Sequence, residues 1–231
     1  MSKPCWKKTP APSLHYMGVG FNRESLVAGS LFGSPANNAF LNVVDSTGTE
    51  VSQGYILAQN APNVTLGITQ ADASRFAANI ITLAPNSSLP GEWDYMRGCF
   101  SFPELSGSDL CGSLLLDVGI NQMYLGLDHK AIPKGTSTKA SDGSYYVPQN
   151  VEMMVTAGNE GSPPALSYHF FMPNFGPPPP GPPPSGAPTF GQWVPPSTTG
   201  TFFNTGITPL TLDDYMYDSQ CGQVGFATQQ P

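Results

Sequence analysis

Twenty-five glycines and twenty-five prolines interrupt this chain of 231 residues, and that punctuation constrains its fold more than any other feature. Proline removes a backbone donor and breaks a helix interior, and glycine costs about 1 kcal/mol there, so a mostly helical bundle is disfavoured. Disorder is disfavoured too. Apolar residues make up 39% and aromatic residues 11% of the chain against 11% charged, which is enough to bury a core. Short strands between frequent turns remain, an all-β chain.

The strands can be placed by residue type. In residues 38–57, NAFLNVVDSTGTEVSQGYIL, two β-branched and aromatic runs flank Asp45-Ser46-Thr47-Gly48, the signature of a hairpin. Residues 64–68 read as a short strand, 70–78 as one or two helical turns, and 79–84 as strand again. Residues 93–102 form a further apolar segment. Residues 113–127 read as the most hydrophobic strand pair, broken at Asp117-Val118-Gly119. Three more strands are expected over 145–147, 151–156 and 166–172, and ordered character resumes over 201–227. The organisation expected is a tail over 1–15 and one β domain of sandwich or barrel type over 16–231. A Pro-rich insertion over 173–196, PNFGPPPPGPPPSGAPTFGQWVPP, should project as a surface loop, since prolines cannot feed a sheet ladder.

Charge narrows the function. The net charge is -7, and the N-terminal basic cluster is limited to Lys3, Lys7 and Lys8, so binding nucleic acid through a basic face is disfavoured. No apolar run of about 18 residues suggests a membrane span, and residues 1–6 lack the apolar core of a secretory signal. The compartment is left open. The cysteines at 5, 99, 111 and 221 lack metal-ligand spacing, so no metal is implied. Cys99 and Cys111 flank a short polar loop and could either close a hairpin as a disulfide or stay buried thiols, which leaves Cys5 and Cys221 as the residual pair. The sequons at Asn63 and Asn86 would matter only in a secreted eukaryotic protein. His15, His129 and His169 lie far apart without a Ser or Cys motif, so triad chemistry is unsupported.

One carboxylate stands out. In residues 112–127, GSLLLDVGINQMYLGL, Asp117 follows an apolar run and precedes a glycine two residues on, a setting in which a charge needs partners or a cleft. An apolar triplet, Asp-x-Gly and a second apolar strand resemble the catalytic loop of pepsin-like aspartic peptidases. Further pieces follow in the family's order. Residues 16–21, YMGVGF, resemble the segment closing the first lobe, and residues 38–68 resemble the opening of the second. Residues 201–226, TFFNTGITPLTLDDYMYDSQCGQVGF, are similar to the family's ending, with Asp218, Gly222, Gly225 and Phe226 in the closing hairpin. The resemblance implies a pepsin-like second lobe and a secreted ancestry, with Asp117 at the catalytic position. An extended peptide substrate would lie nearby, bordered by Gly119 and Tyr124, and no cofactor is implied.

Two departures bear on activity. The family uses two carboxylates, one per lobe, as general base and general acid, whereas the 15 residues before Tyr16 contain no Asp. Val118 also lacks the hydroxyl of the Thr or Ser that the family places between Asp and Gly. Asp45-Ser46-Thr47-Gly48 reads as an ordinary turn, and Asn204-Thr205-Gly206, which has the form of an amidated Asp-Thr-Gly, reads from its place near the C-terminus as the structural segment beside the catalytic loop. The chain is thus expected to be inactive alone. A second Asp would have to come from a partner carrying the first lobe or from a homodimer with the two Asp117 side chains face to face. The alternative is a non-catalytic β-rich binding or structural protein that uses Phe175, Phe190 and Trp193 of the Pro-rich loop, unless those aromatics cover the domain's own core.

Overall fold

A computed structural model describes residues 38–58, 63–87, 91–105, 109–173, 186–197 and 200–229. Among the described residues the fold is all-β with one short α-helix. In chain order the strands are β1 (Gly54–Ala58), β2 (Asn63–Leu66), β3 (Ile80–Thr82), β4 (Met96–Ser101), β5 (Leu110–Leu115), β6 (Met123–Gly126) and β7 (Thr138–Lys139). They continue as β8 (Tyr145–Tyr146), β9 (Glu152–Ala157), β10 (Leu166–Phe171), β11 (Gly191–Val194), β12 (Phe202–Asn204), β13 (Asp213–Asp218) and β14 (Gln223–Thr228). A five-stranded sheet runs β2-β1-β13-β14-β3, and a nine-stranded sheet runs β10-β9-β4-β5-β12-β6-β11-β8-β7.

Side-chain periodicity explains how the sheets pack. In β10 the residues alternate, with Leu166, Tyr168 and Phe170 buried and Ser167, His169 and Phe171 exposed, as expected of a strand with one face on the core. In β13 the four central residues are all buried, because the five-stranded sheet is covered on both faces. Tyr55, Tyr215, Tyr217, Val224 and Phe226 join the main core shared with the large sheet. Ile56, Met216 and Ala227 point the other way and meet Phe76 of helix α1 (Gln70–Phe76).

Seven residues are too few for a stable isolated helix, so α1 depends on its ends and its buried face. Thr69 and Asp72 form a reciprocal capping box, in which the Asp72 N–H donates to the Thr69 hydroxyl at 3.2 Å and the Thr69 N–H donates to Asp72 Oδ2 at 2.9 Å. Phe76 is fully buried, a burial that contributes roughly 1.5–3 kcal/mol. Arg75 pairs with the buried Asp214 of β13.

Several expectations need correction. The hairpin over 38–57 keeps its turn, where Asp45 accepts from the Thr47 and Thr49 N–H groups at 2.8 and 3.0 Å, but its ladder shrinks to a single bridge between Val44 and Glu50. Gly54–Ala58 instead pairs with β2 and β13. The apolar runs on either side of Asp117 are not partners of one another. β12 lies between them, parallel to β5 and antiparallel to β6.

The largest correction concerns the Pro-rich segment. Its end does not project, since Gly191–Val194 forms β11 inside the large sheet, parallel to β6 and antiparallel to β8. Those four residues contain no proline and so retain every backbone donor. Phe190 and Trp193 are each only 5% exposed, so they cover the domain's own core rather than present a contact surface. Gly191 allows close approach here, because a Cβ would come within 2.8 Å of Met172 Cε. Phe175 and the proline run over 174–185 lie outside the described residues, as do Cys5, His15, the tail over 1–15 and the YMGVGF segment.

Of the open cysteine alternatives, Cys99 and Cys111 form a disulfide. They stand directly opposite each other on β4 and β5, with Cα atoms 4.0 Å apart. Cys221 is an exposed free thiol, and the charge of Asp218 beside it is the main reason its pKa is raised.

Candidate functional site

The insertion of β12 between β5 and β6 brings two loops together. β5 runs towards Asp117 and β12 runs parallel to it, so the residue after Leu115 and the residue after Asn204 leave the sheet at the same edge. Thr205 holds the junction, its N–H donating to the Leu115 carbonyl at 2.9 Å and its hydroxyl to the same oxygen at 3.1 Å. Beyond it, the Ile207 N–H donates to the Ile120 carbonyl at 2.9 Å.

The two loops repeat one motif. In Asp117-Val118-Gly119 the carboxylate oxygen Oδ1 accepts from the Gly119 N–H at 2.9 Å. In Asn204-Thr205-Gly206 the side-chain oxygen Oδ1 accepts from the Gly206 N–H at 2.9 Å. Each is an Asx turn, in which a short polar side chain takes the place of a backbone acceptor two residues before a glycine. The side chains then meet, with Asn204 Nδ2 donating to Asp117 Oδ2 at 3.1 Å. Gly206 has φ +60°, and a Cβ there would lie 2.5 Å from the Gln122 carbonyl oxygen, so both backbone hand and space require glycine.

This geometry determines the chemistry available. Asp117 is half-buried and Asn204 is 8% exposed. Both hydrogen bonds to the Asp117 carboxylate come from N–H donors. A hydrolytic carboxyl pair depends on one proton shared between two acids. The neighbour here is an amide, which has no such proton to exchange, and no carboxyl group hydrogen-bonds to Asp117 among the described residues.

Gly119 and Tyr124 both fall in this constellation. The Gly119 amide is engaged by Asp117, so it holds the carboxylate in place rather than standing free as a donor. Tyr124 sits on β6 directly opposite Asn204, on the same face of the sheet, and its hydroxyl accepts from Gln122 Nε2 at 3.1 Å. Sequence reasoning assigned Asn204 to the segment beside the loop but missed its bond to Asp117. The available signal was the match in form between Asn-Thr-Gly and Asp-Val-Gly. Val118 is 39% exposed at the tip of its turn.

The remaining candidates separate in space. His169 is an exposed residue of β10 whose Nδ1 lies 3.2 Å from Glu152 Oε1, and His129 packs edge-on against Tyr145. Among the described residues no group of three or more His, Cys, Asp or Glu side chains could hold a metal ion, and no helix is long and apolar enough to cross a membrane.

No family model and no curated protein matches this sequence. Among solved structures, the chain is similar to an aspartic proteinase from Irpex lacteus, at 15% identity and a TM-score of 0.47, covering 80% of this chain and 59% of that one. It is also similar to basic 7S globulin from soybean, at 10% identity and a TM-score of 0.42, covering 78% of this chain and 53% of that one. The chain therefore spans between half and two thirds of the length of these structures.

Proposed function

We propose that this chain is a diverged aspartic-endopeptidase-like domain in which Asp117 occupies the catalytic position, and that it does not hydrolyse peptides by itself. The observation that carries this reading is the pairing of Asp117 with the amide of Asn204. A single carboxylate cannot activate water and protonate the leaving amine in one concerted step. Hydrolysis would need a second acid from another polypeptide or a second copy of this chain, brought against the face that carries Asp117, Val118 and Tyr124. A peptide bound there would lie extended, as strands and clefts of this kind receive it.

The test is incubation of the purified protein with a mixed peptide library between about pH 3 and 7, the range over which a shared carboxyl pair titrates, alongside Asp117→Asn. The expected result is no cleavage by either protein. Acid cleavage abolished by Asp117→Asn would mean that a second carboxylate is recruited and would overturn the inactive reading. Cleavage that survives the substitution would remove Asp117 from the chemistry.

A further inference from the structure

A cavity lies at the opposite end of β6 from the Asp117–Asn204 pair. Asn204 pairs with Tyr124 and Phe202 with Gly126, so Leu127 stands three residues beyond Tyr124, roughly 10 Å at ~3.3 Å per residue. There Leu127, Asp128, His129, Ile132, Tyr145 and Trp193 line a cavity of about 320 Å³, at the small end of the range of roughly 300–1,000 Å³ typical of small-molecule sites.

Its walls are aromatic and held in place. Trp193 Nε1 donates to the Thr136 carbonyl at 2.8 Å, which fixes the indole plane. The imidazole of His129 meets the Tyr145 ring at 4.3 Å and 66°, and Lys139 Nζ lies 5.7 Å from the centre of the same ring. The surrounding charge runs against that of the whole molecule. The chain carries -7 overall, yet residues 128–145 hold Lys130, Lys134 and Lys139 against two carboxylates, Asp128 and Asp142. Each is turned to its own backbone, Asp128 accepting from the Lys130 N–H and Asp142 from the Ser144 N–H, both at 2.8 Å. An apolar aromatic slot beside a local excess of positive charge suits a flat apolar body with one negative substituent.

We propose that this cleft binds a small aromatic molecule bearing an anionic group, with the ring between Trp193 and Tyr145 and the anion towards Lys139. The site is separate from Asp117, and neither depends on the other.

The probe is 8-anilinonaphthalene-1-sulfonate, titrated against the folded protein and compared with uncharged N-phenyl-1-naphthylamine. Saturable binding of one sulfonate probe per chain is expected. Lys139→Glu should weaken the sulfonate roughly three- to tenfold, the size of one partly screened charge contact reversed, and should leave the uncharged probe unchanged. Ile132→Trp, which fills the cleft, should weaken both. Asp117→Asn should weaken neither. Binding of several probes per chain, or affinity for the sulfonate that is indifferent to both Lys139→Glu and Ile132→Trp, would overturn the assignment. Because Lys139 is exposed, its substitution tests the proposal even if Ile132→Trp fails to fold.

Discussion

The side-chain amide of Asn204 donates to Oδ2 of Asp117 at 3.1 Å, across two Asx turns that each end on a glycine. The two residues are 87 positions apart in the chain, and their meeting depends on β12 entering the sheet between β5 and β6. Changing either side of this contact changes a carboxylate's partner without touching the main core.

Asn204→Asp would place a second carboxyl against Asp117. Two like charges at this distance disfavour each other's ionisation, so the pair should titrate in two coupled steps, the upper one raised above the ordinary carboxylate range. The folded variant then holds a proton that the unfolded chain releases, and its stability falls as pH rises through that upper step. Urea midpoints should show a loss of roughly 1–3 kcal/mol at pH 8 that largely disappears at pH 4. Asn204→Ala is expected to lose stability at pH 8 without that recovery, and equal behaviour of the two variants would refute the coupling.

Gly206→Ala should damage the same site through the backbone. The left-handed φ of +60° and the clash with the carbonyls of Gln122 and Ile120 predict a loss of roughly 1–3 kcal/mol. Amide exchange at Ile207, whose N–H bonds to the Ile120 carbonyl, should rise more than exchange in β13. A uniform rise across the chain would point to global destabilisation alone.

The Cys99–Cys111 bridge closes a short loop with a sequence separation of 12. Closing a loop of that size limits the unfolded chain by about 3 kcal/mol in the chain-entropy model. Replacing both cysteines by alanine should therefore lower Tm by roughly 6–12 °C for a domain of this size. Calorimetry that finds no shift would mean that the unfolded state is already restricted in that region.

Asp213 has its pKa raised, mainly by burial and then by the charge of Asp214 next to it. The sign follows from linkage. The folded state holds this proton to higher pH than the unfolded chain, so stability falls as pH rises from the ordinary value of 3.8 through the raised one and is then flat. Asp213→Asn should raise the thermal midpoint at pH 7 and lose that advantage below about pH 4. A gain that persists unchanged at acid pH would rule out the ionisation as its source.

Much of the fold was legible locally. β9 and β10 were visible in the β-branched and alternating pattern of residues 151–156 and 166–172, and the turn at Asp45 in its Asp and Gly. Each of these is set by neighbours within a few residues. Asp117 stood out for the same reason, as a carboxylate flanked by apolar strand residues. β11 was hidden because its four residues follow a proline-dominated stretch whose composition masks them.

Local chemistry in the sequence by itself determined that the chain is all-β, where most strands lie, and which carboxylate sits at a strand end. Tertiary structure alone decided strand order, and with it the partner of Asp117. Strand pairing is made by backbone groups that every residue shares, so the sequence carries no local mark that β12 would enter between β5 and β6. The choice rests on burying Phe203, Leu114 and Leu125 together in one core, and that same choice set an amide rather than a second acid beside Asp117.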